Sequence, residues 1–588
     1  MILTIERILG ILYLINIKAK DGKFVSVIEL NENKVKKGWW ITLLNWVIYF
    51  VILGAVYWFT LPPVHWQSKE FWNFIIFALL LRLAMSGFEA LRKLFSEKPT
   101  KESAKEAFKG FGFVSKFTGI TAALIILFLL VGGVIGAELF NASRYSDLLT
   151  MNDGDFSADV SELPMSSIPV VDLDTAKRLG LRKLGEMSDL VSQFEVDEYY
   201  YTQINYKGNP YRVTPLMYGD AFKWLNNQSD GIPAYITVNM VTQETSLVRL
   251  QQGIRFSDTE YFMRDLRRHL RFQYPTKIFD NISFELDENG TPYWVASTVR
   301  YRVGVFGGRD INGAVLCNAI NGECTYYPLN EVPTWVDQVY SSDLLLQQLI
   351  YNGKYQSGYF NSIFGQKGVL QPTDGHNYIA IDDDVYLYTG ITSVAGDESN
   401  VGFVLVNLRT KETSYYVCPG AEEYSAMESA QGVVQDLGYA ATFPLLLNVS
   451  DRPTYFMSLK DSAGLVKMYA YVDVQQYQVV ATGNTIPAAR EAYVEKLKAE
   501  ANIEIQDSAP EQSVEQKTIT ATIRAISSAV VNGETCYYMM LQNDPSVYVA
   551  KVSVSYKLPF AKAGDAVALK VPAEAVAEQV TVIGFDPQ

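Results

Sequence analysis

Cysteine is scarce in this chain, four in 588 residues. That is too few to frame a disulfide-stapled domain, so the fold must rest on buried apolar surface. Histidine is scarcer still. His65, His269 and His376 stand far apart and no H-E-x-x-H pair occurs, so each reads as a solvated or structural side chain rather than a zinc ligand or general base. The sequence has no G-x-S-x-G, no Walker A loop and no G-x-G-x-x-G. Its one glycine-rich run, Arg302 to Gly308, lies between strands and reads as a turn or bulge, not a phosphate cradle. Basic residues are outnumbered, 50 Lys and Arg against 64 Asp and Glu, for a net charge of −14. An acidic chain is a poor partner for nucleic acid, whose binding runs on clustered Lys and Arg. After residue 140 there is no apolar run long enough to cross a bilayer.

Before residue 140 there are three. A helix needs roughly 20 apolar residues to cross a hydrocarbon core of ~30 Å. The first run, Trp39 to Leu61, is free of charge, and Pro62 and Pro63 end it by removing amide donors. The second, 71–91, carries Arg82 and Glu89, and the third runs from Phe117 to Leu139. Arg82 and Glu89 share a helical face and are expected to snorkel or to face partner helices rather than relay protons. Gly132 and Gly136 form a small-xxx-small patch expected to serve close packing within the anchor. Six of the nine tryptophans fall between Trp39 and Trp72, as interfacial belts do.

Lys and Arg crowd the segment before the first span and the 92–116 loop, while the 62–70 loop has only Lys69. The positive-inside rule then predicts a cytoplasmic N-terminus and an extracytoplasmic body over 141–588. Charge agrees: residues 1–140 carry a net +6 and the remainder a net −20. The opening 17 residues, apolar but holding Glu6 and Arg7, read as an amphipathic helix at the inner interface. The expected localisation is the cell membrane, with the bilayer as one partner.

The expected fold class is α+β. Residues 1–140 form a three-helix transmembrane anchor, 141–170 a polar stalk, and 171–484 a repeat body. Residues 485–516 form a helix and linker, and 517–588 a small closed β-barrel of the OB or SH3-like kind. In the body one pattern recurs: VNMVTQETS from Val238, CNAINGECT from Cys317, VNLRTKETS from Val406 and VDVQQYQVV from Val472. Each pairs an apolar residue or Cys with Asn or Asp, and three carry a Glu six places on: Glu244, Glu323 and Glu412. Asn or Asp opens a turn by accepting a backbone amide two residues on. The reading is therefore a hairpin, repeated, with the glutamates exposed at its tips. Tyr-bearing strands precede each copy, and helices expected from Asp174 and over 259–273, 336–353 and 421–438 separate them.

With TPYWV (from Thr291) and CNAINGE (from Cys317) as the best copy, these hairpins resemble the PepSY family, over 170–484 in pieces. VNMVTQE and VNLRTKE keep the turn without its glycine, and VDVQQYQ lacks the Glu as well. The resemblance implies an extracytoplasmic, membrane-anchored bacterial module that restrains peptidases. The function expected is thus a non-enzymatic scaffold of the cell envelope that binds an extracytoplasmic protein, with Glu244, Glu323 and Glu412 as its binding edge. The alternative is a cell-wall hydrolase working through acidic residues. No cofactor and no catalytic set are expected. Asp382, Asp383 and Asp384, with Asp397 and Glu398, are weak candidates for a Ca²⁺ site, a solvated turn being the plainer reading. Cys317 and Cys324 flank a six-residue turn as directly opposed partners and are the disulfide candidates, bridged or not on even terms. Cys418 and Cys536 are expected to be free and partly buried.

Overall fold

A computed structural model describes residues 25–94, 101–394, 399–500, 516–531, 534–555, 557–572, 579–582 and 584–587. The expected N-terminal amphipathic helix, Asp397 and Glu398, and the linker over 501–515 lie outside them. The fold mixes helix and sheet. Three N-terminal helices, α1 (Val25–Thr60), α2 (Lys69–Leu94) and α3 (Lys101–Ile135), are each long and apolar enough to cross a membrane. Arg82 pairs with Glu89 at 3.5 Å and lies over the Trp46 ring, and Asn45 of α1 donates to Glu89 at 2.8 Å. The charged pair of the second span thus faces its neighbour helix.

By chain contacts there are two compact units, the first taking in 1–159, 169–446 and 453–500, the second 160–168, 447–452 and 501–588. In the first unit the segment expected as a stalk is folded instead. Helix Glu138–Ser146 follows α3, Leu148 and Leu149 are buried, and β1 (Asn152–Asp153) runs parallel to a body strand. The apolar pair Leu148-Leu149 is what holds an otherwise polar stretch against the core. Val160 and Ile168, also expected in the stalk, are buried too.

Four helix-plus-meander copies make up the body. Helix Leu173–Gly185 precedes the first, whose order is β2 (Phe194–Val196), β4 (Asn209–Tyr218), β5 (Ile232–Asn239) and β6 (Thr245–Ile254), with β3 (Thr202–Tyr206) also on β4. Its helix is capped by Asp172, not Asp174: the Asp172 side chain accepts from the Thr175 amide, and Lys460 lies 2.6 Å away. Helix Leu266–Gln273 precedes the second copy, β7 (Phe279–Leu286), β8 (Pro292–Val303), β9 (Gly307–Asn318) and β10 (Cys324–Pro328). Helix Ser342–Tyr355 precedes the third: β11 (Leu370–Pro372), β12 (Asn377–Ile381), β13 (Asp384–Ser393), β14 (Ser399–Asn407) and β15 (Thr413–Ala421). Helix Glu423–Val433 precedes the fourth: β16 (Ala440–Ala441), β17 (Leu445–Val449), β18 (Arg452–Lys460), β19 (Val466–Asp473) and β20 (Val480–Gly483). Helix Ile486–Glu500 then packs back on this last sheet. The helices are shorter than sequence periodicity indicates. Residues 262–264 are a separate 3-10 turn and Asp265 caps the helix after it.

The copies are welded by a strap over 336–340. Val336 and Val339 are fully buried, and the Val339 and Tyr340 amides donate to Leu408 at 3.1 and 2.8 Å. Asp337 accepts from the Asn205 amide of β3 at 2.7 Å, and Ser297 of β8 donates to the Val339 carbonyl at 2.5 Å.

The second unit holds a six-stranded sheet with the order β25 (Gln579–Thr581), β23 (Val547–Lys551), β22 (Glu534–Leu541), β21 (Gln516–Val531), β24 (Ala566–Pro572) and β26 (Gly584–Pro587). Its core includes Ile523, Met539, Leu541, Val567 and Leu569. The closed barrel expected here is not formed. The 16-residue β21 bends at an irregularity between Ile523 and Ala525 and serves two partners, β24 before the bend and β22 after it. The path ends on the short strands β25 and β26, which do not pair with each other among the described residues.

Candidate functional site: hairpin turns, the anchor joint and a thiol–imidazole cluster

All four repeated segments are strand hairpins. Val238 pairs with Thr245, Cys317 with Cys324, Val406 with Thr413, and Val472 with Val480. Asn or Asp opens each turn as its chemistry predicts. Asn239 Oδ1 accepts the amides of Val241 and Thr242, Asn318 those of Ile320 and Asn321, and Asn407 those of Arg409 and Thr410, all at 2.8–3.1 Å. Asp473 accepts from the Gln476 amide at 2.7 Å. The glutamates contribute backbone to the turn: the carbonyls of Glu244, Glu323 and Glu412 accept from Asn239, Asn318 and Asn407 at 2.9, 2.9 and 2.8 Å. Their side chains are exposed.

One tip of the second copy does something else. The β8–β9 turn, Val303 to Gly307, is inserted against α3. A Cβ placed on Gly132 would meet the Phe306 ring at 3.0 Å and Val305 Cβ at 3.1 Å, and one on Gly136 would meet the Val303 carbonyl at 3.2 Å. Gly304 has φ +59°, and a Cβ there would sit 2.6 Å from the Gly136 Cα, so backbone lies on backbone. Phe306 packs edge-on to Phe128, and Tyr145 donates to the Gly136 carbonyl at 2.7 Å. The glycine patch of the third span therefore receives the body's hairpin, where packing within the anchor was expected. A cavity of about 380 Å³ opens beside it, lined by Lys69, Asn73 and Tyr145 among others.

The acidic triplet does not converge. Asp384 is held by Arg409 through two bonds of 2.7 Å and by Asn407 at 2.8 Å, while Asp382 and Asp383 are exposed in the turn before it, Asp382 at φ +54°. The Asp384 carboxylate is committed to Arg409 and Asn407, so among the described residues the three acids share no common point.

Cys317 and Cys324 do face each other, and they are not bridged. His269, set apart by its distance in sequence, joins them: one donor atom from each of the three lies within 4.8 Å of the others. Among the described residues this is the one such group of three or more His, Cys, Asp or Glu. His269 Nε2 lies 2.7 Å from the Gly322 carbonyl, which Cys324 Sγ also approaches at 3.5 Å. A hydrogen bond from Cys317 pulls the Cys324 thiol well below its ordinary pKa, against burial and with help from His269; the same bond, with burial, pushes Cys317 up. Burial lowers the His269 pKa, but its bonds to Cys324 and to the Gly322 carbonyl together carry it above the usual value. Nothing in sequence ties a helix at 266–273 to a turn at 317–324; only the packing does. Cys418 and Cys536 are also unbridged, and both are buried rather than partly so.

Two carboxyls are buried together. Glu285 and Asp337 are 0 and 1% exposed. Glu285 accepts from Ser283 at 2.7 Å and from the Asp337 amide at 2.8 Å. Burial raises Glu285 to about 7; burial and then the Glu285 charge raise Asp337. Shut away from solvent, the pair fits a structural pin between sheets.

Neither a family model nor a curated protein matches this chain. Among solved structures, a crystal structure of an ACO/RPE65 chimera aligns over 65% of this chain and 58% of that one, at 7% identity and a TM-score of 0.11. A likeness that slight carries no argument.

Proposed function

We propose that this chain is a membrane-tethered, extracytoplasmic scaffold of the bacterial cell envelope, whose PepSY-like repeat body holds another protein. A peptidase is the partner that the PepSY resemblance implies. The observation that carries the reading is the joint at Gly132 and Gly136. A hairpin of the body seated on the third apolar helix fixes the body to its anchor, as a scaffold requires. The exposed hairpin tips with Glu244, Glu323 and Glu412 are the proposed binding edge. The burial of the Glu285–Asp337 pair, and the commitment of Asp384 to Arg409, weigh against an acid-dependent hydrolase built on those residues.

Orientation is tested first. Cysteines introduced as Lys105→Cys and Ser462→Cys, both exposed positions, should label from opposite sides with an impermeant reagent, the second from outside the cell. Then a photo-crosslinker at the hairpin tips should capture one stoichiometric partner in intact cells. Replacing Glu244, Glu323 and Glu412 together by Gln should weaken capture while each change costs no more than ~0.5 kcal/mol of stability. Labelling from the wrong sides, or capture indifferent to the triple change, sinks the reading.

A further inference from the structure

The four hairpins are internal controls for one another. At the neck of the turn the first copy holds Val238 and Thr245, the third Val406 and Thr413, and the fourth Val472 and Val480. The second holds Cys317 and Cys324 in the same register, with the same Asn-led turn. Sulfur is therefore not needed to build the hairpin. What the second copy adds is a third donor, His269, brought in by the helix that precedes its sheet.

The surroundings hold those donors in place. The Phe256 ring lies 4.4 Å from the imidazole, and its carbonyl accepts from Trp294 Nε1 at 2.7 Å. Tyr274 donates to the Cys324 carbonyl at 3.0 Å. Cys317 is fully buried, whereas Cys324 and His269 are half-buried, which leaves an approach from solvent. Bound ligands of this kind sit about 2.0–2.3 Å from a metal, so donors within 4.8 Å of one another need only small side-chain rotations to close on an ion.

We propose that His269, Cys317 and Cys324 form a binding site for a single thiophilic d¹⁰ cation, Zn(II) or Cu(I). Two thiolates and an imidazole are soft donors that select these ions over Ca²⁺ or Mg²⁺. Zn(II) would keep one position open for water or a substrate atom, as three-ligand sites do; Cu(I) accepts three ligands as they stand. Binding displaces the thiol protons, so affinity rises with pH. The site stands whether or not the scaffold reading does.

The test uses the whole chain, purified in detergent with its thiols reduced, and titrates zinc alone and Cu(I) alone against a chromophoric competitor. One equivalent of at least one metal should bind. The double change Cys317→Val and Cys324→Thr writes the sibling sequence into this hairpin; it should keep the melting curve and lose affinity by ~100-fold or more, with His269→Gln losing at least ~10-fold. Cobalt(II), standing in for zinc, should give a thiolate charge-transfer band that disappears in the double variant. The proposal is overturned if the reduced chain takes up neither metal stoichiometrically, or if the double variant binds as well as the parent. It is equally overturned if mass spectrometry of native membranes finds the 317–324 pair as a disulfide, a covalent staple rather than a ligand set.

Discussion

Gln243, Gly322 and Lys411 occupy one place in three hairpins, with φ of 63°, 77° and 68°. Only glycine takes this left-handed conformation without cost, and a side chain there gives up roughly 1 kcal/mol. In the second copy that requirement is readable as Asn321-Gly322; in the others the turn is kept by the Asn side chain despite the wrong residue. Two substitutions at the same place should then have opposite signs. Gln243 is partly exposed at a tip, so Gln243→Gly should be neutral to stabilising, by up to ~1 kcal/mol, once the larger entropy of the unfolded glycine is set against relief of strain. Lys411 reaches from its tip to Asp310 at 2.6 Å and to the Leu148 carbonyl at 2.8 Å. Asp310 is 1% exposed, and its remaining ion-pair partner is Arg302. Lys411→Gly should accordingly destabilise by about 2–3 kcal/mol, short of the full cost of an orphaned buried charge. Paired urea melts of the two variants read both signs; a stabilised Lys411→Gly would mean the tip strain outweighs the buried pair.

At the scale of elements, the hairpins were legible because their determinants are local: an apolar partner, an Asn or Asp, and a fixed count of residues to the return strand. The three long apolar helices were legible for the same reason, as uninterrupted apolar length. Gly132 and Gly136 were visible too, but what they pack against was not, since small-xxx-small specifies only that something approaches closely. Here it is the β8–β9 tip, 170 residues on, whose own glycine at 304 reads in sequence as no more than a turn. The joint makes a sharp prediction. A Cβ on Gly132 lies 3.1 Å from Val305 Cβ, a little inside the usual disulfide span of about 3.5–4.5 Å. The pair Gly132→Cys and Val305→Cys should therefore cross-link under mild oxidant in native membranes, seen as a link surviving cleavage of the chain between them. Gly132→Leu should instead expel the tip, an overpacking cost of about 1–3 kcal/mol. Absence of the cross-link, where a control pair across β8 and β9 forms readily, would separate the tip from the span.

At the scale of the whole molecule, the joining of the first three copies is not legible in sequence, because the strap over 336–340 acts through contacts far apart in the chain. Glu285 on β7 and Asp337 on the strap look like surface acids in sequence; folding encloses both where the first three copies meet. Enclosure sets a sign for the pH dependence. Glu285 titrates near 7 when folded and near 4.5 when unfolded, so between those values the folded chain holds the extra proton. Stability from this group is complete below about 4.5 and is lost as pH rises through about 7. The loss should amount to roughly 1–3 kcal/mol by pH 8. Other carboxyls pull the opposite way. Asp172, although burial raises it, is lowered overall by hydrogen bonds from Lys460 and Thr175, so its contribution is lost as pH falls. The whole-chain profile mixes both, which is why the difference between parent and Glu285→Gln isolates the pin. Melting temperature measured from pH 4.5 to 8 should drop less in the variant than in the parent, and the two curves should converge or cross towards the alkaline end. If the variant only lowers stability by a constant amount at every pH, Glu285 is ionised in the folded state throughout, and the pin is a carboxylate that the strap amides solvate rather than a neutral carboxyl.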